Sequence, residues 1–492
     1  MNALGGLVVV LAAWLGGRAL LPSREALPRS LGEEQGAAYL LGSTALILLA
    51  QLMFALGVPL SLPVAGALLA LAAFAGGWRV SREARAGGLA ESALPPAGRL
   101  LVLLLAAGSA AVTLSLPLNE FDPILHFAMK GRLLHGGELP TGEAFTAIGG
   151  EVGRVMTHPN YPLGVPLLEA FAAHAGGGWS DRWVQFPLAL WSACLPAVVA
   201  LGLRGLSPAA ARAGALVAAC TPALYAREFL LHGWRDLASA GLGEEKMLGG
   251  RGDLPVMALF GGAAAFLLVA RRGGARAWCP AALAGLCLAG AATMKNEGLA
   301  LAGVLALALL LAALFERGRG LREAGVALGL AALLLAPWLV VRAQLPAIDE
   351  NYSEQVSLER VIHFWQNDET AELSPIRPEN YGADWTDSSR WRPARVARYF
   401  GLEFVDLLSW GLLWPLAALG LIRALRRPEH RWLALTLGGG LALYALVLHV
   451  TPWFLPSLHK KGIPARLFVH LVGPAALLAG LLAAPRSDAR SG

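Results

Sequence analysis

Long runs of apolar residues recur along the chain, and short polar segments separate them. A helix crosses a bilayer with about 17 to 25 apolar residues, so the pattern predicts an all-α polytopic membrane protein with about thirteen spans. The predicted spans are residues 3–22, 37–57, 62–77, 98–117, 183–203, 208–226, 253–270, 279–294, 298–315, 324–342, 400–422, 431–451 and 464–484.

The composition supports this interpretation. Of 492 residues, 56% are hydrophobic and 15% charged, and the mean hydropathy is +0.55, whereas roughly a quarter of the residues of a soluble protein are charged. The net charge of +6 does not indicate a nucleic-acid partner, because the arginines form short clusters between the apolar runs. All four cysteines lie in or beside apolar runs, so no disulfide framework is predicted. No Lys or Arg precedes the first run, which is therefore expected to be a retained span.

Four short arginine clusters fall on one side when the spans are counted in order, and the positive-inside rule makes this side cytoplasmic. The clusters are Arg79, Arg82 and Arg85; Arg271, Arg272 and Arg276; Arg317, Arg319 and Arg322; and Arg423, Arg426 and Arg427. Four segments are then predicted to lie outside, residues 118–182, 227–252, 343–399 and 452–463. Every lysine maps to this outer side or its membrane boundary, namely Lys130, Lys246, Lys295, Lys460 and Lys461. Cations that converge on one face favour an anionic ligand, and a lipid phosphate is the natural one at membrane depth.

The first outer segment contains Asp122, His126 and Lys130 at a spacing of four. If a short helix begins at Pro123, this spacing places all three residues on one helix face. They could form a site for chemistry, or Asp122 could only cap the helix. Further along, His158-Pro159-Asn160-Tyr161-Pro162 is stiffened by its prolines. His158 and Tyr161 could line a sugar site or belong to a packed loop.

Ionisable residues interrupt the apolar pattern at three later places. Asp253 opens the seventh span, and Lys295 and Glu297 separate the eighth and ninth. Groups at this depth line a cavity, pair with each other or carry out chemistry, so an ion pair of Lys295 with Glu297 or Asp253 and a simple external turn both remain open. Arg466 and His470 share a helix face at the start of the last span, where the arginine could bind phosphate or reach up to lipid headgroups.

This ordered set of motifs resembles the bacterial GT-C glycosyltransferases that use polyprenyl-phosphate sugars, relatives of the protein mannosyltransferases and of the lipid A aminoarabinose transferase. The matching features are an acidic residue in the first outer loop, His-Pro-x-Tyr-Pro, Gly-Asp-Leu-Pro at residues 252–255, Lys-Asn-Glu-Gly at residues 295–298, and a late His followed by Arg at a span start. The resemblance covers roughly residues 98–484, and the first three spans and segment 343–399 depart from it.

The resemblance implies a GT-C-like helical bundle with periplasmic loops and juxtamembrane helices, in the inner membrane of a bacterium. It also implies a single displacement at the anomeric carbon of a polyprenyl-phosphate-linked sugar, on the periplasmic side. Asp122 would be the base, and Asp253 a second acidic residue that orients the acceptor or the donor. Donor phosphate would bind to Arg466, Lys295, Lys460 and His459, and substrate contacts would come from His126, Lys130, His158, Tyr161, Glu297 and His470. The partners would be the bilayer, the donor lipid and a lipid, glycan or protein acceptor, without nucleic acid.

The predicted organisation is an N-terminal three-span extension (1–97), a core with the catalytic loop (98–342), an outer loop or small cap (343–399), and C-terminal spans with the phosphate site (400–492). No cofactor is predicted beyond the lipid-linked sugar. No dense set of metal ligands stands out, so a metal site is not predicted, although a divalent ion remains open. Two other functions remain, a secondary transporter and a non-catalytic polysaccharide or lipid export component. A transporter would be expected to show internal repeats, which the sequence lacks.

Overall fold

The computed structural model describes most of the chain in atomic detail. The described residues are 2–83, 89–115, 118, 122–146, 159–224, 252–274, 276–318, 320–345, 357–366, 391–451, 455 and 462–485. Within these ranges the protein is all-α and contains no β-strand. The fold class expected from the apolar pattern is therefore confirmed as a helical membrane bundle.

Eighteen of the described helices define the architecture. In chain order they are α1 (Asn2–Leu20), α2 (Leu31–Ala55), α3 (Leu62–Glu83), α4 (Pro96–Ser115), α5 (Met129–His135), α6 (Gly164–Gly176), α7 (Trp191–Arg204), α8 (Pro208–Ala219), α9 (Asp253–Ala270), α10 (Trp278–Met294), α11 (Asn296–Phe315), α12 (Leu321–Arg342), α13 (Leu358–Gln366), α14 (Arg392–Val405), α15 (Leu413–Leu425), α16 (Arg431–Val450), α17 (Ile463–Val469) and α18 (Val472–Leu481). A π-helical segment, Asp122–Ala128, leads into α5, and a 3₁₀ segment, Trp183–Leu190, leads into α7.

Eight described helices are long and apolar enough to cross a membrane, or nine if the bent pair α17 and α18 counts as one span. The chain is thus a multi-pass membrane protein, but the count of about thirteen spans is not confirmed. Among the predicted spans outside this set, 98–117 corresponds to α4, of which the apolar part is Pro96–Ala111, and 279–294 corresponds to the 17-residue α10. The predicted span 208–226 begins with α8, which has 12 residues.

The predicted span 400–422 is divided in the structure. Helix α14 ends at Val405, a single turn covers Leu407–Trp410, and α15 begins at Leu413. The side chain of Asp406 accepts a hydrogen bond from the backbone N–H of Ser409, and Gly411 has a φ of 55°. A capping carboxylate followed by a glycine with positive φ stops one helix and starts another, which apolar composition alone does not reveal.

The N-terminal helices pack directly on the rest of the bundle. Helix α1 contacts α6, and α2 contacts α7, α10 and α12. Gly17 and Gly42 allow helices α1 and α2 to approach closely, since a β-carbon at either position would collide with a carbonyl oxygen of the other helix. Such close approach is usual where small residues meet in membrane bundles. The N-terminal segment is therefore part of the bundle by contact, while its boundary at residue 97 stays a prediction.

Candidate functional site

The carboxylate of Asp253 is the centre of a buried polar cluster. Lys295 Nζ donates to Asp253 Oδ1 at 2.7 Å, and Arg466 Nε donates to Oδ2 at 3.0 Å. His470 Nε2 lies 2.8 Å from Oδ1. All four side chains are buried, with at most 9% of their surface exposed. We call these four residues the Asp253 cluster.

Helix ends bring these residues together. Asp253 begins α9, where the helix N-terminus favours a negative charge. Lys295 is extended, with φ −152° and ψ 156°, and separates α10 from α11. The neighbouring Gly252 allows this approach, because a β-carbon there would collide with the Lys295 stem. The breaks in the apolar pattern are therefore the points at which the chain turns into the site.

The last predicted span bends by 54° between α17 and α18, directly after His470. Arg466 lies on α17 and His470 caps the C-terminus of this helix one turn later, and both contact Asp253. The shared face expected from their spacing of four is thus confirmed. Because 9% of its side chain is exposed and Nε binds Asp253, Arg466 points into the bundle and does not extend to lipid headgroups.

Tyr444 completes the surroundings of His470. Its hydroxyl lies 2.7 Å from His470 Nδ1, while Nε2 faces Asp253. We assign the Nε2–H tautomer, in which the ring donates to the carboxylate and accepts from Tyr444, since this arrangement satisfies all three groups. Tyr444 was not among the predicted site residues. The available signal was a tyrosine within the largely apolar α16, but a hydroxyl group does not specify its partner.

A chain of contacts connects the cluster to the first outer segment. Lys295 Nζ is also 3.1 Å from Glu297 Oε1, and the Tyr161 hydroxyl donates to Glu297 Oε2 at 3.4 Å. The Tyr161 ring stacks on His126 with a centroid distance of 5.8 Å and lies 5.6 Å from Lys130 Nζ. Residues from the first outer segment and from the later helix ends therefore meet at one end of the bundle.

Lys130 is fully buried on α5. Burial lowers its pKa from the usual 10.5 to about 7, because the charged ammonium loses its hydration. The face of the Tyr161 ring can offset part of this loss through a cation–π contact. Lys130 is therefore a lysine that titrates near neutral pH beside the candidate site.

The outcomes for the predicted site residues differ. Both ion pairs that the sequence left open, Lys295 with Asp253 and Lys295 with Glu297, are formed. The backbone of Asp122 lies at the start of the π-helical segment that carries His126, but its side chain is outside the described part of the chain. His158, His459 and Lys460 also lie outside the described residues, so their roles stay predictions.

Metal binding finds no support in the described ranges, where no group of three or more His, Cys, Asp or Glu side chains is placed to hold an ion. The four cysteines are free thiols. The polar chemistry available at the site is that of carboxylates, two imidazoles, two phenols, an arginine and two lysines. Such groups can bind an anion, orient hydroxyl groups and exchange protons.

These features define a multi-pass helical membrane protein with a buried, charged site where several helix ends meet.

Among solved structures, the chain is similar to the archaeal oligosaccharyltransferase AglB from Archaeoglobus fulgidus in complex with an inhibitory peptide and a dolichol-phosphate. The identity is 13% and the TM-score 0.42, over 78% of this chain and 50% of that one. A second Archaeoglobus fulgidus oligosaccharyltransferase structure, in complex with Zn and sulfate, gives 15% identity and a TM-score of 0.38, over 79% and 54%. The chain thus spans about half the length of each of these proteins. No family model and no curated protein matches the sequence.

Proposed function

We propose that the protein is a GT-C type membrane glycosyltransferase. It would move a sugar from a polyprenyl-phosphate-linked donor to a lipid, glycan or protein acceptor. The observation that supports this most is the convergence of Lys295, Arg466 and His470 on Asp253, joined through Glu297 and Tyr161 to the first outer segment. The proposed setting is a bacterial inner membrane with the site facing the periplasm, as the arginine clusters predict.

The reaction would be a single displacement with inversion. An acceptor hydroxyl attacks the anomeric carbon, the bond from this carbon to the phosphate oxygen breaks, and the lipid phosphate leaves with the electron pair. Asp122 would take the hydroxyl proton, for which it must lie within hydrogen-bond reach of the acceptor. Lys295 and Arg466 would stabilise the negative charge that develops on the departing phosphate.

In this proposal, Asp253 acts by positioning the cations. It binds Arg466 through Nε and so helps to hold the guanidinium in the site. A guanidinium can bind phosphate through two parallel hydrogen bonds. Glu297 and Tyr161 would contact the sugar, and Lys460 and His459 would add to the phosphate site.

The test uses the purified full-length protein in proteoliposomes with radiolabelled undecaprenyl-phosphate hexoses and bacterial membrane extract as the source of acceptor. We expect the wild type to transfer label. We expect Asp122→Asn to reduce the transfer rate by at least about a hundredfold, which is typical of removing a general base. The matched control is Arg132→Gln, since Arg132 is an exposed arginine of α5 paired with Asp181. Near-normal transfer by Asp122→Asn would remove this residue as the base.

A binding measurement separates the donor site from the chemistry. Undecaprenyl phosphate alone is expected to raise the melting temperature of the wild type and of Arg132→Gln, but not that of Arg466→Gln. If no donor is turned over and undecaprenyl phosphate has the same effect on all three proteins, the transferase proposal fails. A transporter or a non-catalytic export component would then be the better interpretation.

A further inference from the structure

Two histidine rings meet where α5 packs against α6, apart from the Asp253 cluster. The rings of His135 and His174 have centroids 4.6 Å apart and planes inclined by 42°. His174 is 8% exposed, and His135 is half-buried. The proposed reaction uses neither residue. We call these two residues the histidine pair.

The hydrogen bond of His174 defines its neutral form. Its Nε2 lies 2.7 Å from the carbonyl oxygen of Leu60, in the connection between α2 and α3. Because a carbonyl oxygen can only accept, we assign the proton of the neutral ring to Nε2. A second proton would then bind at Nδ1. It would make His174 a buried cation beside another imidazole.

Burial favours the uncharged form of both rings. It lowers the pKa of His135 from the usual 6.5, because the charged ring loses its hydration. Burial also lowers the pKa of His174, the bond to Leu60 opposes this decrease in part, and the neighbouring His135 adds to it. The contact therefore suits two neutral rings and not two cations.

The helices around α6 offer no charge that could compensate two protonated rings. Helix α6 also packs against α1, α2, α3, α10 and the 3₁₀ segment Trp183–Leu190. The charged residues of these elements are confined to their predicted cytoplasmic ends, namely Arg18, Glu33, Glu34, Arg79, Arg82 and Glu83. The histidine pair lies in the predicted outer segment, at the opposite side of the membrane.

The ionisable residues nearer in the chain do not pair with the two rings either. On α5, on α6 and in the turns that follow these helices they are Lys130, Arg132, Glu138, Glu143, Glu169, Asp181 and Arg182. Asp181 binds Arg132 at 2.7 Å, and burial raises the pKa of Glu169, so that its carboxyl group is uncharged in acid. The π-helical segment adds Asp122 and His126 beyond the other end of α5.

Helix α5 connects the histidine pair to the candidate site. Lys130 lies on this helix, and the π-helical segment that leads into it carries His126. Both residues contact the ring of Tyr161, whose hydroxyl donates to Glu297. A displacement of α5 from α6 would therefore separate Lys130 and His126 from Tyr161.

We propose that the histidine pair is an acid-sensitive contact, in which protonation of both rings releases α5 from α6 and withdraws Lys130 and His126 from the candidate site. The release of α5 does not depend on the glycosyltransferase assignment. The sign of the pH dependence follows from proton binding. Both rings bind a proton less readily in the folded protein than a free imidazole with its pKa of 6.5. The contact is therefore at full strength above about pH 6.5 and weakens as the pH falls through the lowered pKa values.

Hydrogen exchange of the full-length protein in a nonionic detergent, followed by mass spectrometry at pH 6.5 and pH 5.0, tests the proposal. The exchange rates of peptides that cover α5 and α6 are divided by the intrinsic rate at each pH, which gives the opening of each helix. Both pH values lie below the pKa of Lys130, which is about 7, so this lysine contributes little to the difference. The opening of α5 in the wild type is expected to increase by about fivefold or more at pH 5.0, since each excluded proton changes the equilibrium by up to tenfold per pH unit.

Variants then locate the effect. His135→Phe keeps an aromatic ring against His174 but cannot take up a proton, so it should show less than half of the wild-type increase. The control His363→Phe removes an exposed histidine of α13 and should show the full increase. Should His135→Phe fail to fold, His135→Asn provides the same test without the ring. An unchanged opening of α5 in the wild type, or the full increase in the His135 variant, would overturn the proposal.

Discussion

Replacement of Lys130 by methionine should stabilise the folded protein, and the gain should depend on pH. Lys130 is fully buried, and burial lowers its pKa from 10.5 to about 7. A pKa difference of one corresponds to about 1.4 kcal/mol, so the charged ammonium costs the folded state about 5 kcal/mol relative to the unfolded chain. A cation–π contact with Tyr161 offsets part of this cost, by about 2 kcal/mol at most.

The sign of the pH dependence follows from proton binding. Below pH 7, Lys130 is charged in both states and the folded protein bears the full cost. Between pH 7 and 10.5 the unfolded chain binds more protons than the folded protein, so the free energy of unfolding rises with pH by about 1.4 kcal/mol per unit. The advantage of Lys130→Met should therefore fall from about 5 kcal/mol at pH 6 to about 2 kcal/mol at pH 9.

Thermal unfolding in a nonionic detergent at pH 6, 7.5 and 9 measures this difference. The control Arg132→Met removes an exposed cation from the same helix, and its difference from the wild type should not change over this range, because arginine stays charged. A gap between the wild type and Lys130→Met that is constant from pH 6 to 9 would refute the reasoning. It would mean that Lys130 remains charged in the folded protein.

Two further variants test the Asp253 cluster. Asp253→Asn removes the negative charge shared by Lys295 and Arg466 and leaves these buried cations uncompensated. It should therefore lower the free energy of unfolding, measured by thermal or SDS unfolding, by about 3–5 kcal/mol. A loss under about 1 kcal/mol would show that solvent reaches the cluster. Tyr444→Phe removes one hydrogen bond to His470, so it should cost about 1 kcal/mol and shift the imidazole resonances of His470 in an NMR spectrum of the labelled protein. Unchanged resonances would contradict the hydrogen bond between Tyr444 and His470.

Much of the site was predictable because charges stand out against an apolar background. Lys295 interrupts a long hydrophobic run, Asp253 and Arg466 stand at the start of one, and burying such groups is costly unless they pair. The sequence could therefore indicate that these residues have partners. It could not select the partners, because Asp253 and Arg466 are 213 positions apart and meet only through the packing of α9 and α17.

The errors in span assignment have a different cause. Apolar composition records that a segment is buried in lipid or protein, but not whether it is one straight helix. The break at Asp406 and Gly411 depends on a side-chain cap and a single positive φ, and the bend after His470 depends on how α17 packs against α9 and α14. Capping and turn residues within an apolar run are a weaker sequence signal than hydropathy. The lengths of the helices in the predicted spans 400–422 and 464–484 were therefore overestimated.

The charge balance of the site gives a physical reason for the predicted roles of residues outside the described ranges. Lys295 and Arg466 carry two positive charges, and Asp253 and Glu297 carry two negative charges. This balance allows the cations to stay buried and correctly placed when no donor is bound. An arriving lipid phosphate adds negative charge, so the proposed donor site needs a further cation. Lys460, with Lys461, lies in the predicted outer segment just before α17, where the chain returns to the cluster. We therefore expect the complete phosphate site to combine the rigid pair held by Asp253 with at least one lysine from this segment.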